Sequence, residues 1–156
     1  MDPAVVPVSE LLKLGAAHVQ IPSDALPAFM LSGGDEQLSA NMLGLTVGQL
    51  LAAQFGMHIT TRDSRFEDVR HDQNGWHRDE HPKNFSADAF AKMVLPFPIE
   101  LNPPTVVRLF SGHKVQAPTG FVTLLLCHPR AVWHRADNIG AERRTVLTQG
   151  FDLKRI

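Results

Sequence analysis

The apolar positions change their spacing about a third of the way along the chain. Two short amphipathic runs come first, ELLKLGAAHV after Ser9 and VGQLLAAQFG after Thr46. Each begins at a hydroxyl residue able to cap a helix, and Gly56 is placed to stop the second. Between them, IPSDALPAFMLSGGDEQLSANMLG is punctuated by proline and glycine and reads as a strand, a turn and a helical stretch. From Met57 onward the runs are short and rich in β-branched and apolar residues: MHITTRDSRFEDVR, AFAKMVLPF, TVVRLFS, GFVTLLLC, AVWHR and RRTVLTQGF. Turn-rich pieces such as HDQNG, NPP and APTG separate them. Short strands at regular spacing predict a closed or sandwiched antiparallel sheet with the leading helices packed outside it. No repeat, low-complexity tract or linker marks a boundary. The expectation is one mainly-β domain over residues 1–156, with a supporting helical segment at 1–56 and a β core at 57–151.

Composition narrows the function classes. A chain of 156 residues with 44% hydrophobic and 20% charged residues has the balance of an ordinary globular domain, too small for two lobes. A net charge of −1 gives no basic excess to suggest nucleic acid, and no segment approaches the roughly 20 apolar residues of a membrane span. The single cysteine, Cys127, excludes an internal disulfide framework and fits a reducing compartment. MDPAVVPVSELLKLG has neither a basic start nor a continuous apolar run. The expected setting is cytoplasmic, with neither nucleic acid nor membrane as a partner.

The stretch Trp76 to Asn84, WHRDEHPKN, carries the chemistry. HRD with an asparagine beyond it matches a kinase catalytic loop, but a kinase also needs a glycine-rich loop, a strand lysine and a helix glutamate before it and DFG after it. None is present: GGDEQ lacks the loop spacing, and DAFA lacks the Phe-Gly pair. A metal site fits better. In an extended segment His77 and Asp79 point to one face while Trp76 and Arg78 point to the other. A third ligand is available in AVWHR, where His134 follows the turn CHPR. Two imidazoles and one carboxylate form the facial triad of non-haem iron(II) oxygenases, which leaves positions open for a co-substrate and oxygen. Arg143 and Thr145, two apart in the last strand, would share a face, and arginine suits a carboxylate held bidentately.

This order of parts, HRD, a histidine 57 residues on, then R-x-T about ten beyond it, resembles the 2-oxoglutarate/Fe(II)-dependent dioxygenase superfamily over Met57 to Phe151. The resemblance implies a double-stranded β-helix core of jelly-roll or cupin-like form. It implies that His77, Asp79 and His134 hold Fe(II), and that Arg143 and Thr145 bind the far carboxylate of 2-oxoglutarate. Oxidative decarboxylation to succinate and carbon dioxide, with molecular oxygen, would be coupled to hydroxylation of a C–H bond. Lys92 is a further cofactor-binding candidate, because some members use a lysine from the strand after HxD. The chain has no tyrosine, a departure from members that contribute one to this pocket.

Each assignment has a competitor. A lone histidine in an apolar strand is more often packed or solvated than a ligand, and the case for His134 comes from the other parts. His128 is the rival third ligand, disfavoured by its turn position. His71, His81 and His113 read as solvated, with His81 near enough to HRD to line the site. Arg144 competes with Arg143, and strand alternation admits only one of them. Trp76 and Trp133 should face away from the metal, in the core. Few residues surround the predicted core, so a homo-oligomeric partner would complete the pocket, or the substrate is carrier-bound or peptide-bound rather than a free small molecule. Two other classes compete: a cupin-like metal-binding isomerase or sensor without use for Arg143 and Thr145, and a catalytically silent β-barrel interaction domain.

Overall fold

The computed structural model describes residues 4–30, 36–70, 75–136 and 143–156, with the backbone alone at 68–70, 101, 143 and 144. Its frame is a large antiparallel sheet in the order β1 (Ala16–Gln20), β7 (Phe121–His128), β4 (Ala89–Phe97), β9 (Arg143–Lys154). The free edge of β9 is shared by two strands: β3 (Arg65–Arg70) pairs with its first half and β2 (His58–Thr61) with its end. A smaller sheet, β6 (Lys114–Gln116), β5 (Val106–Arg108), β8 (Trp133–Arg135), lies against one face of the large one. This is the expected jelly roll with flanking helices.

Strand parity divides the apolar residues between two cores. In β4 the odd positions Ala89, Ala91, Met93, Leu95 and Phe97 join the larger cluster, together with Leu124, Leu147, Phe151 and the helix residues Leu43, Val47 and Leu51. The even positions Phe90 and Val94 join the smaller cluster with Leu125, Val146, Val107 and Val132, which fills the space between the sheets. Lys92 has even parity, so it projects into the jelly roll from a strand otherwise buried there. A polar side chain in such a place calls for a partner.

The helices differ from the expected ones in instructive ways. Only Leu11–Leu14 is α-helical in the first run (α1), because Gly15 turns left-handed at φ 91° and its N–H closes onto Leu11 O at 2.9 Å. The following AAHVQ is β1, whose partner β7 lies over a hundred residues away. The segment expected to be helical therefore adds an edge strand to the large sheet. A short helix, α2 (Leu26–Met30), precedes α3 (Glu36–Phe55). α3 is twice as long as the run that starts at Thr46, whose hydroxyl instead donates back to Met42 O at 3.0 Å inside the helix. Gly56, at φ 60°, ends it as expected. Ala40, Leu43, Gly44, Val47, Gly48 and Leu51 form the buried stripe. A Cβ at Gly44 would collide with the Gln149 side chain, so glycine sets how closely α3 approaches β9.

Candidate metal centre

His134 sits in the middle of β8, opposite Val107 of β5 on one side and His77 on the other. The second pairing is reciprocal: the His77 N–H donates to His134 O at 3.0 Å and the His134 N–H to His77 O at 2.9 Å. Directly opposed residues of an antiparallel pair turn their side chains to the same side. The two imidazoles consequently stand together, ring centroids 4.2 Å apart. Asp79 follows two residues after His77 on the same side. Its Oδ2 is 3.4 Å from His134 Nε2 and its Oδ1 is 3.9 Å from His77 Nε2. Donor atoms of all three lie within 4.8 Å of one another, and among the described residues no other group of three could hold a metal.

His77 and Asp79 suit a metal in protonation as well as in position. His77 Nδ1 is 2.7 Å from Gly75 O, and a carbonyl only accepts, so that nitrogen carries the proton and Nε2 presents its lone pair toward Asp79. Burial alone would raise the Asp79 pKa, but the hydrogen bond with His134 and the charge of Lys92 outweigh it and hold the carboxyl well below the usual range. The carboxylate is thus ionised and available. With metal bonds of about 2.1 Å, neighbouring donors of an octahedron stand about 3 Å apart, and the two spacings from Asp79 are within about 1 Å of that. His134 is 6% exposed and His77 43%, so the site opens to solvent on the His77 side.

Two cavities lie beside this centre, one bordered by Lys92 and the other by His77. One, of about 580 Å³, is lined by Lys92, Phe90, Thr148, Gly150, Arg65 and Glu67 among others. The other, of about 660 Å³, is lined by His77, His81, His128, Trp76, Arg78 and Trp133 among others. Lys92 belongs to the first, where its Nζ donates to Asp79 Oδ2 at 3.1 Å, which is the partner its buried position requires. Cys127 borders the second. Burial first, and the nearby Asp79 charge second, push its thiol up to about 12, so it remains protonated and offers no thiolate to a metal.

The structure does not gather every expected residue. Lys92 faces Gly150, and the β4–β9 register runs unbroken from there to Phe97 opposite Thr145. Thr145 therefore has the parity of Leu147 and Phe151, which pack in the larger core, and not that of Lys92. Position 143 shares that outer parity, whereas 144, opposite Val69, shares the parity of Val146 and Thr148. The side chains of Arg143 and Arg144 lie outside the described residues. Sequence spacing shows that two residues share a face but not which face, and of the R-x-T pair only Thr145 has a described side chain.

The remaining candidates are accounted for locally. His128 packs on Phe85 and His81 at centroid distances of 5.0 Å each, apart from Asp79's partners. His81 lines the His77 cavity, and His113 accepts or donates locally with Ser111 at 3.1 Å. His71 lies outside the described residues. Asn84, the kinase-like asparagine, accepts from Arg62 at 3.1 Å while Arg62 forks onto Asp152 at 2.8 and 2.9 Å. That clamp ties the end of the HRD segment to β9. Trp76 and Trp133 turn away from the metal side but are not core: Trp133 is 41% exposed, and both rings are covered by cations. Thr148, Arg65 and Glu67 were missed as lining residues. Counting alternate positions outward from Lys92 across known strand partners would have found them, but the partners are not written in the sequence.

Three solved structures share the fold. A prolyl-4-hydroxylase from Pseudomonas putida superposes with a TM-score of 0.56 at 14% identity, covering 99% of this chain and 97% of that one. This is the prolyl hydroxylase fold. The viral collagen prolyl hydroxylase of Paramecium Bursaria Chlorella virus-1 gives 0.53 at 9% identity in a truncated form, covering 97% of this chain and 94% of that one. In its complex with 2OG it gives 0.50 at 8% identity, over 88% and 79%. No protein-family model matches the chain, and no curated protein matches it. The likeness extends over nearly the whole chain, the jelly roll and the helices outside its large sheet together.

Proposed function

We propose that the protein is an Fe(II)- and 2-oxoglutarate-dependent dioxygenase that hydroxylates an unactivated C–H bond. The observation that carries this reading is the convergence of His77, Asp79 and His134 inside a jelly roll shared with prolyl hydroxylases. Iron held there would supply the oxygen chemistry, with three positions left open by the facial set. The chain's own work is placement. The reciprocal His77–His134 bridge fixes both imidazoles, the Gly75 carbonyl sets the His77 tautomer, and Lys92 steadies the ionised Asp79.

The cavity at Lys92 suits the co-substrate, because Lys92 is a cation bordering both the triad and an open space lined by Thr148 and Gly150. Strand alternation continued from Gly150 would bring the residue at 144, rather than 143, toward this side. The cavity on the exposed side of His77 suits the molecule to be oxidised, whether a small molecule or a group on a peptide. Described helices include none long and apolar enough to cross a membrane.

An anaerobic titration tests the reading. Fe(II) with 2-oxoglutarate should give a weak visible charge-transfer band, and in air the mixture should yield succinate. Asp79→Ala should lose both while the circular dichroism of the apoprotein is unchanged. Fe(II) binding without the band would assign the site to a cupin-like protein that does not use 2-oxoglutarate.

A further inference from the structure

We propose that the outer face of the small sheet docks an acidic segment of a polypeptide. Strand alternation turns Val107, Val115 and His134 inward and Val106, Arg108, Lys114, Trp133 and Arg135 to the other side, where Val106 is buried, Arg135 half-buried, and Arg108, Lys114 and Trp133 exposed. Trp76 and Arg78, flanking His77, extend the same face. Its cations are stacked on its rings. Arg108, Arg135 and Lys114 lie 4.8, 4.9 and 5.6 Å from the Trp76 centroid, and Arg78 lies 4.6 Å from that of Trp133.

Three positive charges around one indole repel one another, and each cation–π contact returns only about 0.5–1 kcal/mol at an exposed site. Arg78, Arg108 and Lys114 are exposed, and among the described residues none has a carboxylate partner. The chain as a whole carries a net charge of −1, so this is a segregation of charge and not an overall excess. A surface of this kind is complementary to an anion with several charges.

The stacking favours carboxylates over nucleic acid. Single-stranded nucleic acid binds by laying bases on open aromatic faces, and here Trp76 already carries three cations and Trp133 one. A guanidinium over a ring face can still offer N–H groups to carboxylate forks. Carboxylates at alternate positions of an extended peptide are about 6.6 Å apart, comparable to the spacing of cations across strands about 4.8 Å apart. The face is also continuous with the cavity at His77, since Trp76, Arg78 and Trp133 line both. An acidic segment held on the face would lead the adjoining residues of the same polypeptide into that cavity. This last step rests on the oxygenase reading; the docking does not.

The test uses fluorescein-labelled poly-L-glutamate, poly-L-lysine and oligo-dT, read by anisotropy with the full chain at low and at physiological salt. Poly-L-glutamate should bind, salt should weaken it, and poly-L-lysine should not bind. Arg108→Glu combined with Lys114→Glu should weaken poly-L-glutamate by about tenfold or more, with circular dichroism unchanged because both residues are exposed. Asp79→Ala should leave the peptide affinity unaltered, and a wild-type chain that binds poly-L-glutamate but forms no succinate with Fe(II) and 2-oxoglutarate would refute the oxygenase reading alone. Tighter binding of oligo-dT than of poly-L-glutamate, no binding of poly-L-glutamate, or binding that survives the double reversal would each overturn the docking proposal.

Discussion

Lys92→Met should move the affinities for metal and co-substrate in opposite directions. Lys92 Nζ stands 3.1 Å from Asp79 Oδ2, with the two side chains 25% and 23% exposed. An arriving divalent cation must share that carboxylate with the ammonium and tolerate its charge a few ångströms away. Unit charges about 4 Å apart interact by about 1 kcal/mol in water and about 4 kcal/mol at an effective dielectric constant near 20. Solvent reaching a quarter of each side chain places the effect in the lower half of that range, about 1–2 kcal/mol. Methionine keeps the apolar stem and removes the charge, so the dissociation constant for Mn(II) or Fe(II) should fall by about five- to thirtyfold. If Lys92 also receives a carboxylate of 2-oxoglutarate, losing that charge-assisted bond costs about 2–5 kcal/mol and weakens the co-substrate by one to three orders of magnitude. Anaerobic calorimetry of both ligands on wild type and variant reads each effect separately. Metal affinity that stays level or drops in Lys92→Met would refute the idea that Lys92 competes for Asp79. Unchanged 2-oxoglutarate affinity would remove Lys92 from the co-substrate site.

Other outcomes follow from the same geometry. By strand parity, Arg144→Ala should weaken 2-oxoglutarate binding more than Arg143→Ala, and the opposite ranking in a calorimetric titration would contradict the β4–β9 register. Gly44→Ala gains about 1 kcal/mol of helix propensity but forces a methyl into Gln149, whose Nε2 donates to Arg62 O at 2.7 Å. With overpacking at about 1–3 kcal/mol and a hydrogen bond at about 1 kcal/mol, the urea midpoint should fall by the equivalent of about 1–3 kcal/mol; a stabilised variant would disprove the close approach. Burial lowers the pKa of His18 from 6.5 to about 4, and its Nδ1 accepts the Val6 N–H at 2.9 Å. The unfolded chain then binds the proton first, so stability is full above about pH 6.5 and declines as pH falls toward 4, by up to about 3 kcal/mol. Asp79 does not share this window, because its folded value is depressed and its contribution is lost only below its ordinary 3.8. Urea midpoints of wild type and His18→Gln at pH 7.5 and 4.5 should diverge accordingly, and parallel curves would show that His18 does not titrate as a buried group.

The local pattern of the sequence determined those elements whose signal is contained in a few neighbouring residues. AFAKMVLPF is β4 at its stated ends because an apolar run bounded by turn residues has few other uses. Gly56 stops a helix because glycine alone enters the left-handed region without strain. The period of two in WHRD set His77 and Asp79 on one side, and the tertiary structure then supplied His134 opposite them. What the tertiary structure alone decided depended on partners distant in sequence. AAHV became a strand because β7 offered an edge, and α3 ran to twenty residues although Leu38, Met42 and Leu45 leave it apolar on its outer side as well, which blurs the helical period. The facing of Thr145 was fixed by the register of β9 on β4 and β3, a long-range choice in which a shift of one residue exchanges every side chain between the two cores. The pairing of Lys92 with Asp79 and the stacking of cations on Trp76 arose in the same way. Periodicity reports which residues share a side, and only packing decides what lies on it.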